Sequence, residues 1–307
     1  MSMWKHLRPA NLLLMALFLL GLRYFLIAPV FNSFEFSLVL GHFDFLLLVL
    51  SCMLVAGGGY LINDYYDQAT DAINKPHKQL QQPERAVSWS LLCSAAGIAL
   101  GVYVGFKATL TNLAIVQIVV TFLLWKYAES WKGIALLGHL VVSLVMAVLS
   151  FVPFLYEFVA ISVLYRFEMA AAKSLMYVGL AYALFAYLST FIRELIKAMQ
   201  DLPGDEQAGY RTLPVKYGLA FSKKLTTILL MILLLSLLAL TIFQWIQGSL
   251  FNACYLVLFV CMPIMVTGWR LRNAQLPVDF GKAATWLKIT MLAGVCTLGA
   301  FYLELML

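Results

Sequence analysis

The chain has 307 residues, of which 63% are apolar and only 12% charged, against about 25% charged for a soluble globular protein. That composition excludes a water-soluble fold and predicts an integral membrane protein. The formal charge of +6 raises nucleic acid as a partner, but the basic residues stand beside apolar runs rather than in a polar domain, and no nucleic-acid motif is present. Anionic lipid headgroups and a phosphate-bearing substrate account for them.

A spanning helix needs about 20 apolar residues, and the sequence supplies nine such stretches, near 10-30, 40-63, 86-107, 110-126, 133-156, 173-197, 222-245, 250-270 and 284-306. The first follows Lys5 and Arg8 but runs on without a small-residue cleavage pattern, so it reads as a span and not a signal peptide. Nothing separates a soluble domain from the rest, and residues 1-307 read as one membrane domain. The class predicted is all-α, with nine transmembrane helices.

In the second stretch Gly57-Gly58-Gly59 permits either close helix approach or an open backbone beside a ligand. The next residues, Asn63-Asp64-Tyr65-Tyr66-Asp67-Gln68-Ala69-Thr70-Asp71, have no role in an apolar core. Asn63, Asp67 and Asp71 follow an i, i+4, i+8 spacing that a continued helix turns into one column of oxygens. Cations come directly after it, Lys75 first. A second acidic pair, Asp201 and Asp205, follows the sixth stretch, with Pro203-Gly204 expected to end or bend the helix between them.

These two places hold five of the seven Asp residues in the chain. Crowded carboxylates need a neutralising cation, and an all-oxygen set suits Mg²⁺, which bridges carboxylates to substrate phosphates. The clusters therefore read as two carboxylate sites that hold one diphosphate. With the N-terminus cytoplasmic, every Lys and Arg except Arg23, Lys107, Arg166 and Lys173 falls at a cytoplasmic end, as the positive-inside rule requires. Both clusters then face the cytoplasm.

Other polar residues are more ambiguous. Arg23 inside the first span either snorkels to the outer interface or meets an acceptor phosphate. Residues 157-173 read as an interfacial helix on the outer face. Asn11 either lines a cavity or caps a helix contact. His139 reads as a hydrogen-bonded packing residue, with a base as the alternative. Five cysteines, Cys52, Cys93, Cys254, Cys261 and Cys296, lack metal-ligand spacing and read as packing residues.

With these residues in view, the chain resembles the UbiA-type intramembrane prenyltransferases over nearly its full length. The family's N-D-x-x-D-x-x-x-D motif is matched by Asn63, Asp64, Asp67 and Asp71, and its D-x-x-x-D motif by Asp201 and Asp205. Asp71-Ala72-Ile73-Asn74-Lys75-Pro76, Phe191 to Lys197, Thr212-Leu213-Pro214 and Arg8-Pro9 with Asn11-Leu12 are similar to its geranylgeranylglycerol-phosphate geranylgeranyltransferase branch. Tyr127 and Lys132 match a tyrosine-lysine pair between the fourth and fifth spans.

The resemblance implies nine helices around a central cavity and Mg²⁺-dependent transfer of a prenyl group from an isoprenyl diphosphate to a membrane-embedded acceptor. It assigns Asn63, Asp67, Asp71, Asp201 and Asp205 to metal and diphosphate, with Asp64 supporting. Lys75, Lys132 and Arg193 are candidate diphosphate contacts and Tyr127 a candidate cavity residue. The implied setting is a prokaryotic plasma membrane, with no protein partner evident. Ala198, Gln200 and His139 depart from the family, which carries acidic residues at the first two positions and Asn at the third. Those departures leave open an aromatic acceptor or a non-catalytic paralogue that binds prenyl lipids. A cation-coupled transporter is the reading from another class, weakened because the carboxylates gather at span ends on one side and no inverted repeat stands out.

Overall fold

The computed structural model describes residues 3–74, 76 and 80–306. Among them, nine helices are long and apolar enough to cross a membrane. In chain order the helices are α1 (Pro9–Ser33), α2 (His42–Tyr66), α3 (Gln68–Asn74), α4 (Pro83–Lys107), α5 (Thr111–Glu129) and α6 (Leu137–Tyr156). They continue as α7 (Phe158–Phe167), α8 (Met169–Gln200), α9 (Leu202–Gln207), α10 (Leu213–Ile246), α11 (Leu250–Asn273) and α12 (Pro277–Met306). Of these, α3, α7 and α9 are too short to span. Helix is the expected solution in lipid, because it satisfies backbone N–H and C=O groups within one segment.

Helices α1 and α11 each contain one turn of π-helix, at Leu22–Ile27 and Leu256–Cys261. Helix α10 is broken at Gly218, whose φ of 81° places it in the left-handed region that glycine adopts without a Cβ penalty.

The chain folds as two compact units, residues 1–131 with 144–184, and residues 132–143 with 185–307. In the first, Leu19, Leu40, Phe45, Leu48, Cys52, Val104, Val152 and Tyr156 form a buried core from α1, α2, α4 and α6. The second is built around Ile192, Ile196, Leu230, Leu233, Val260, Ile264, Phe280 and Leu287. Large apolar side chains outside these cores, Leu13, Phe106, Ile115, Leu235 and Ile246 among them, are exposed, as suits a surface solvated by lipid. The five cysteines are free.

Helices α2 and α4 approach closely, which decides between the two expectations for the glycine run. A Cβ on Gly58 would stand 2.9 Å from the Ser90 carbonyl oxygen, and one on Gly97 2.9 Å from that of Ser51. Ser51 donates to the Gly97 carbonyl at 2.6 Å and Ser90 to the Gly58 carbonyl at 2.8 Å. Each helix thus presents one serine and one glycine seven residues apart. Run antiparallel, each serine lands on the other's glycine. Apolar burial gives little drive between helices in lipid, so close backbone approach and hydrogen bonds must supply the association.

The structure corrects the expectations for Arg23 and for Glu157. Arg23 neither snorkels nor stands free for an acceptor: it is buried, donates to Glu157 at 2.5 Å and to the Leu40 carbonyl, and lies 4.6 Å from the Phe45 ring centroid. Glu157 is fully buried and also accepts from the backbone N–H groups of Val39 and Leu40, at 2.7 and 3.2 Å. A buried charge demands a partner, and here the two ions pair with each other and hold the loop between α1 and α2. The expected short helix does follow, as α7, with Ala160, Ile161 and Leu164 buried and Phe158, Tyr165 and Phe167 exposed.

Candidate active site

The first carboxylate cluster lies where α2 gives way to α3. Asp67 is the break, with φ −83° and ψ 0°, yet its N–H bonds the Asn63 carbonyl at 2.9 Å and the Asp71 N–H bonds the Asp67 carbonyl at 2.7 Å. The i, i+4, i+8 hydrogen-bond register survives the break. Asn63 donates its side-chain N–H to an oxygen of Asp67, while Asn63 Oδ1 is buried with no hydrogen-bond partner. Asp71 is buried. An orphaned buried oxygen costs free energy unless something occupies its lone pairs. Beside Asp67, it offers a hard cation the kind of donor it prefers.

Asp64 pairs with the N-terminal segment. It is buried, accepts from Arg8 at 2.6 Å, and lies 2.8 Å from His6 Nδ1. Arg8 also lies 4.7 Å from the Tyr60 ring centroid. Burial acts against its charge, but the fields of Asp64 and Tyr60 prevail and hold the guanidinium above its ordinary pKa. Arg8 adopts a left-handed φ of 53° just before Pro9 opens α1, a conformation uncommon outside glycine. His6 belongs to no motif, so nothing in the chain marked this contact beforehand.

The second cluster occupies the junction of α8 and α9. Asp201 caps α9, its carbonyl accepting from Gly204 at 3.2 Å and Asp205 at 3.1 Å; the helix is interrupted at Asp201, ahead of the expected Pro203-Gly204, which lie inside the first turn of α9. The i to i+4 relation between Asp201 and Asp205 is kept, and Asp205 is buried. The next segment returns to the start of α6: the Arg211 N–H bonds the Gly133 carbonyl at 2.8 Å, within an isolated parallel bridge of Ile134 to Arg211. A Cβ at Gly133 would come 3.0 Å from the Tyr210 ring, and Lys132 Nζ lies 6.0 Å from that ring's centroid.

Arg193 bonds Glu194 at 2.9 Å, and Lys197 lies 3.5 Å from the same carboxylate oxygen. Ala198 is buried. The Gln200 side chain lies against Gly281, where a Cβ would come 3.0 Å from its Nε2. Tyr127 is half-buried near the end of α5. Lys75 lies outside the described residues.

Each cluster is a local construction within its own unit, the first in residues 1–131 and the second in residues 185–307. Among the described residues, no three His, Cys, Asp or Glu side chains gather closely enough to hold a metal unaided.

Among the described residues, nine spans with an Asp-rich break after the second and another after the sixth define an all-helical integral membrane protein with paired acidic motifs. The UbiA prenyltransferase family model matches residues 14–292. The chain belongs to that family and is an intramembrane prenyltransferase.

Among its relatives, the digeranylgeranylglyceryl phosphate synthase of Saccharolobus solfataricus is 28% identical over 262 residues, covering 81% of this chain and 82% of the relative. That of Korarchaeum cryptofilum is 32% identical over 260 residues, covering 81% and 83%. A solved structure of a digeranylgeranylglyceryl phosphate synthase aligns at a TM-score of 0.61 and 19% identity, over 99% of this chain and 98% of that one. A UbiA homologue from Archaeoglobus fulgidus, bound to DMAPP and Mg²⁺, aligns at 0.57 and 14%, over 97% and 99%. At these identities the structures establish the fold alone.

Proposed function

We propose that the protein transfers a prenyl group, geranylgeranyl by preference, from its diphosphate to the free hydroxyl of a geranylgeranylglycerol phosphate lipid, forming an ether. One observation carries the reading: each Asp-rich motif sits at a break just beyond a span, with backbone bonds that preserve its i to i+4 spacing. The names of the Saccharolobus and Korarchaeum relatives support the lipid acceptor. The DMAPP and Mg²⁺ bound by the Archaeoglobus homologue support the donor and the metal.

In this mechanism Asn63, Asp67, Asp71, Asp201 and Asp205 would hold Mg²⁺ and the donor head. Mg²⁺, when bound, supplies positive charge against the diphosphate oxygens as the allylic C–O bond breaks. The Asp64 pairing fixes the end of α2, so that Asn63 and Asp67 need no reorganisation as charge develops. Lys75, Lys132 and Arg193 contribute positive charge toward the diphosphate, and Tyr127 lines the cavity. Apolar walls exclude water from the electron-poor allylic carbon. The clusters face the cytoplasm in a prokaryotic plasma membrane.

The test is product formation by lipid-reconstituted protein given labelled geranylgeranyl diphosphate, Mg²⁺ and either geranylgeranylglycerol phosphate or an aromatic acid. An ether lipid that vanishes with EDTA is the expected result. A carbon–carbon product on the ring, or no product with either acceptor, overturns the assignment.

A further inference from the structure

The turn between α11 and α12 carries charge that the proposed prenyl chemistry does not use. From residue 270 to residue 288 the chain holds four basic residues, Arg270, Arg272, Lys282 and Lys288, against a single acid, Asp279. Asp279 is committed to the turn itself, accepting from the N–H groups of Gln275 and Leu276 at 3.3 and 3.2 Å, with Lys282 at 3.9 Å. Lys223 of α10 is committed as well, to the Ala274 carbonyl. Arg270 is not: among the described residues no carboxylate pairs with it, and its Nε is buried without a hydrogen-bond partner.

Two indoles hold the guanidinium instead. Its central carbon lies 5.9 Å from the ring centroid of Trp269 and 5.9 Å from that of Trp286. Leu271, Ala283 and Leu287, all buried, pack α11 and α12 together beside them. The contact with Trp286 also sets a depth. Trp286 lies about 13 Å along α12 from Pro277, and the helix, with 30 residues, is about 45 Å long against ~30 Å of hydrocarbon. The first turns of α12 therefore stand among lipid headgroups, and Trp286 near the base of that layer, where indoles are enriched. Helical side chains tilt toward the N-terminus, so Arg270, in the last turn of α11, reaches inward and away from water. A cation there needs an anion.

The counter-charge must come from outside the chain, at the depth of a lipid phosphate. We propose that Arg270, Trp269 and Trp286 form a binding site for one anionic phospholipid, its phosphate on the guanidinium. Lys282 stands one turn before Trp286 on the same face of α12 and adds a second positive charge toward the headgroup. Met265 and Met262, one and two turns inward of Trp269, and Ile289 beyond Trp286 are exposed, which gives the acyl chains an apolar surface to follow. A zwitterionic headgroup fits less well. Its own cation is repelled by Lys282, and the two indoles that would cradle a quaternary ammonium already hold Arg270. The site belongs wholly to unit two and is independent of the acceptor assigned above.

The test is lipid binding to the full chain, delipidated in a neutral detergent and followed by native mass spectrometry as phosphatidylglycerol or phosphatidylcholine is added. The unsubstituted protein should bind its first phosphatidylglycerol about tenfold more tightly than phosphatidylcholine, as one charge-assisted contact provides. Arg270→Gln should lose that preference. Lys173→Gln, which removes an exposed cation 6.0 Å from the Tyr165 ring centroid, should keep it. Phosphatidylglycerol brominated on its acyl chains should quench tryptophan fluorescence more in the unsubstituted protein than in Trp269→Phe with Trp286→Phe.

A preference below about threefold in the unsubstituted protein overturns the proposal, as does one above about threefold in monodisperse Arg270→Gln. Loss of the preference in Lys173→Gln makes the effect one of net charge and overturns it too. Equal quenching with and without the two indoles overturns it even where Arg270→Gln fails to fold. Displacement of phosphatidylglycerol by an equal concentration of inorganic phosphate overturns the assignment to a lipid and gives the site to a free anion.

Discussion

Arg23 and Glu157, 134 residues apart in sequence, meet at 2.5 Å with the Glu157 side chain wholly sequestered. Removing one partner of such a pair costs about 3–5 kcal/mol, since the other charge is left buried alone. Glu157→Ala should therefore lower the thermal unfolding temperature of detergent-purified protein sharply. Arg23→Met with Glu157→Leu together should recover part of the loss. Full recovery is not expected, because the N–H groups of Val39 and Leu40 lose their acceptor.

Asp67→Asn and Asp205→Asn should each reduce prenyl transfer by about 100-fold or more, in line with the loss of one preorganised electrostatic contact. The spans should insert normally, as membrane extraction and size-exclusion profiles would report. Full activity in both variants would remove the basis for the proposed metal and diphosphate site.

Asp64→Ala should act differently, because Asp64 is bonded to His6 and Arg8. Its main effect should be faster hydrogen exchange over residues 4–12. The accompanying fall in turnover should be about tenfold, equivalent to ~1.4 kcal/mol, well short of the effect at Asp67.

Gln117 donates to Tyr156 at 3.0 Å, and Tyr156 donates to the Gly101 carbonyl at 3.3 Å, all three within unit one. Tyr156→Phe leaves a buried amide group without that partner, at a cost of about 1–3 kcal/mol. Gln117→Leu with Tyr156→Phe should be less destabilising than the sum of the two changes, and a double-mutant cycle on thermal stability would show it.

Gly58→Val and Gly97→Val should each prevent α2 and α4 from closing, because the new Cβ meets a backbone oxygen that cannot swing aside. Overpacking of this kind costs about 1–3 kcal/mol or more. Reduced yield of monodisperse protein is the expected readout, with Gly268→Ala, where a Cβ meets nothing within 4 Å, as the neutral comparison.

Much of this was legible in the chain. Length and hydropathy placed most spans to within a few residues, but α10 begins at Leu213 and α12 at Pro277, well ahead of the expected 222 and 284. The first turns of α10 are interrupted by Pro214, Lys216, Gly218, Lys223 and Lys224, so an apolar window passes them over. The acidic motifs were readable because carboxylates have no other reason to crowd behind an apolar run. Glu157 was not, because its partner is remote in sequence and a single acidic residue near an aromatic segment looks like an interface. For the same reason the column at Asn63 was expected to be smooth, whereas Asp67 breaks it while keeping its hydrogen bonds. His139 read as a satisfied packing residue, and only the coordinates reveal its empty nitrogen.

The paired serine and glycine contacts of α2 and α4 also act as a ruler. Ser51 and Gly58 on one helix, and Ser90 and Gly97 on the other, set a single depth at which the two can lock. Asn63 lies five residues beyond Gly58, so its height above the membrane is measured from that lock and not from the lipid. Bilayers of different thickness should tilt the pair together without changing that distance. A residue inserted between Gly58 and Asn63 would rotate Asn63 by about 100°, whereas one inserted in the loop before Pro83 would leave the motif where it is.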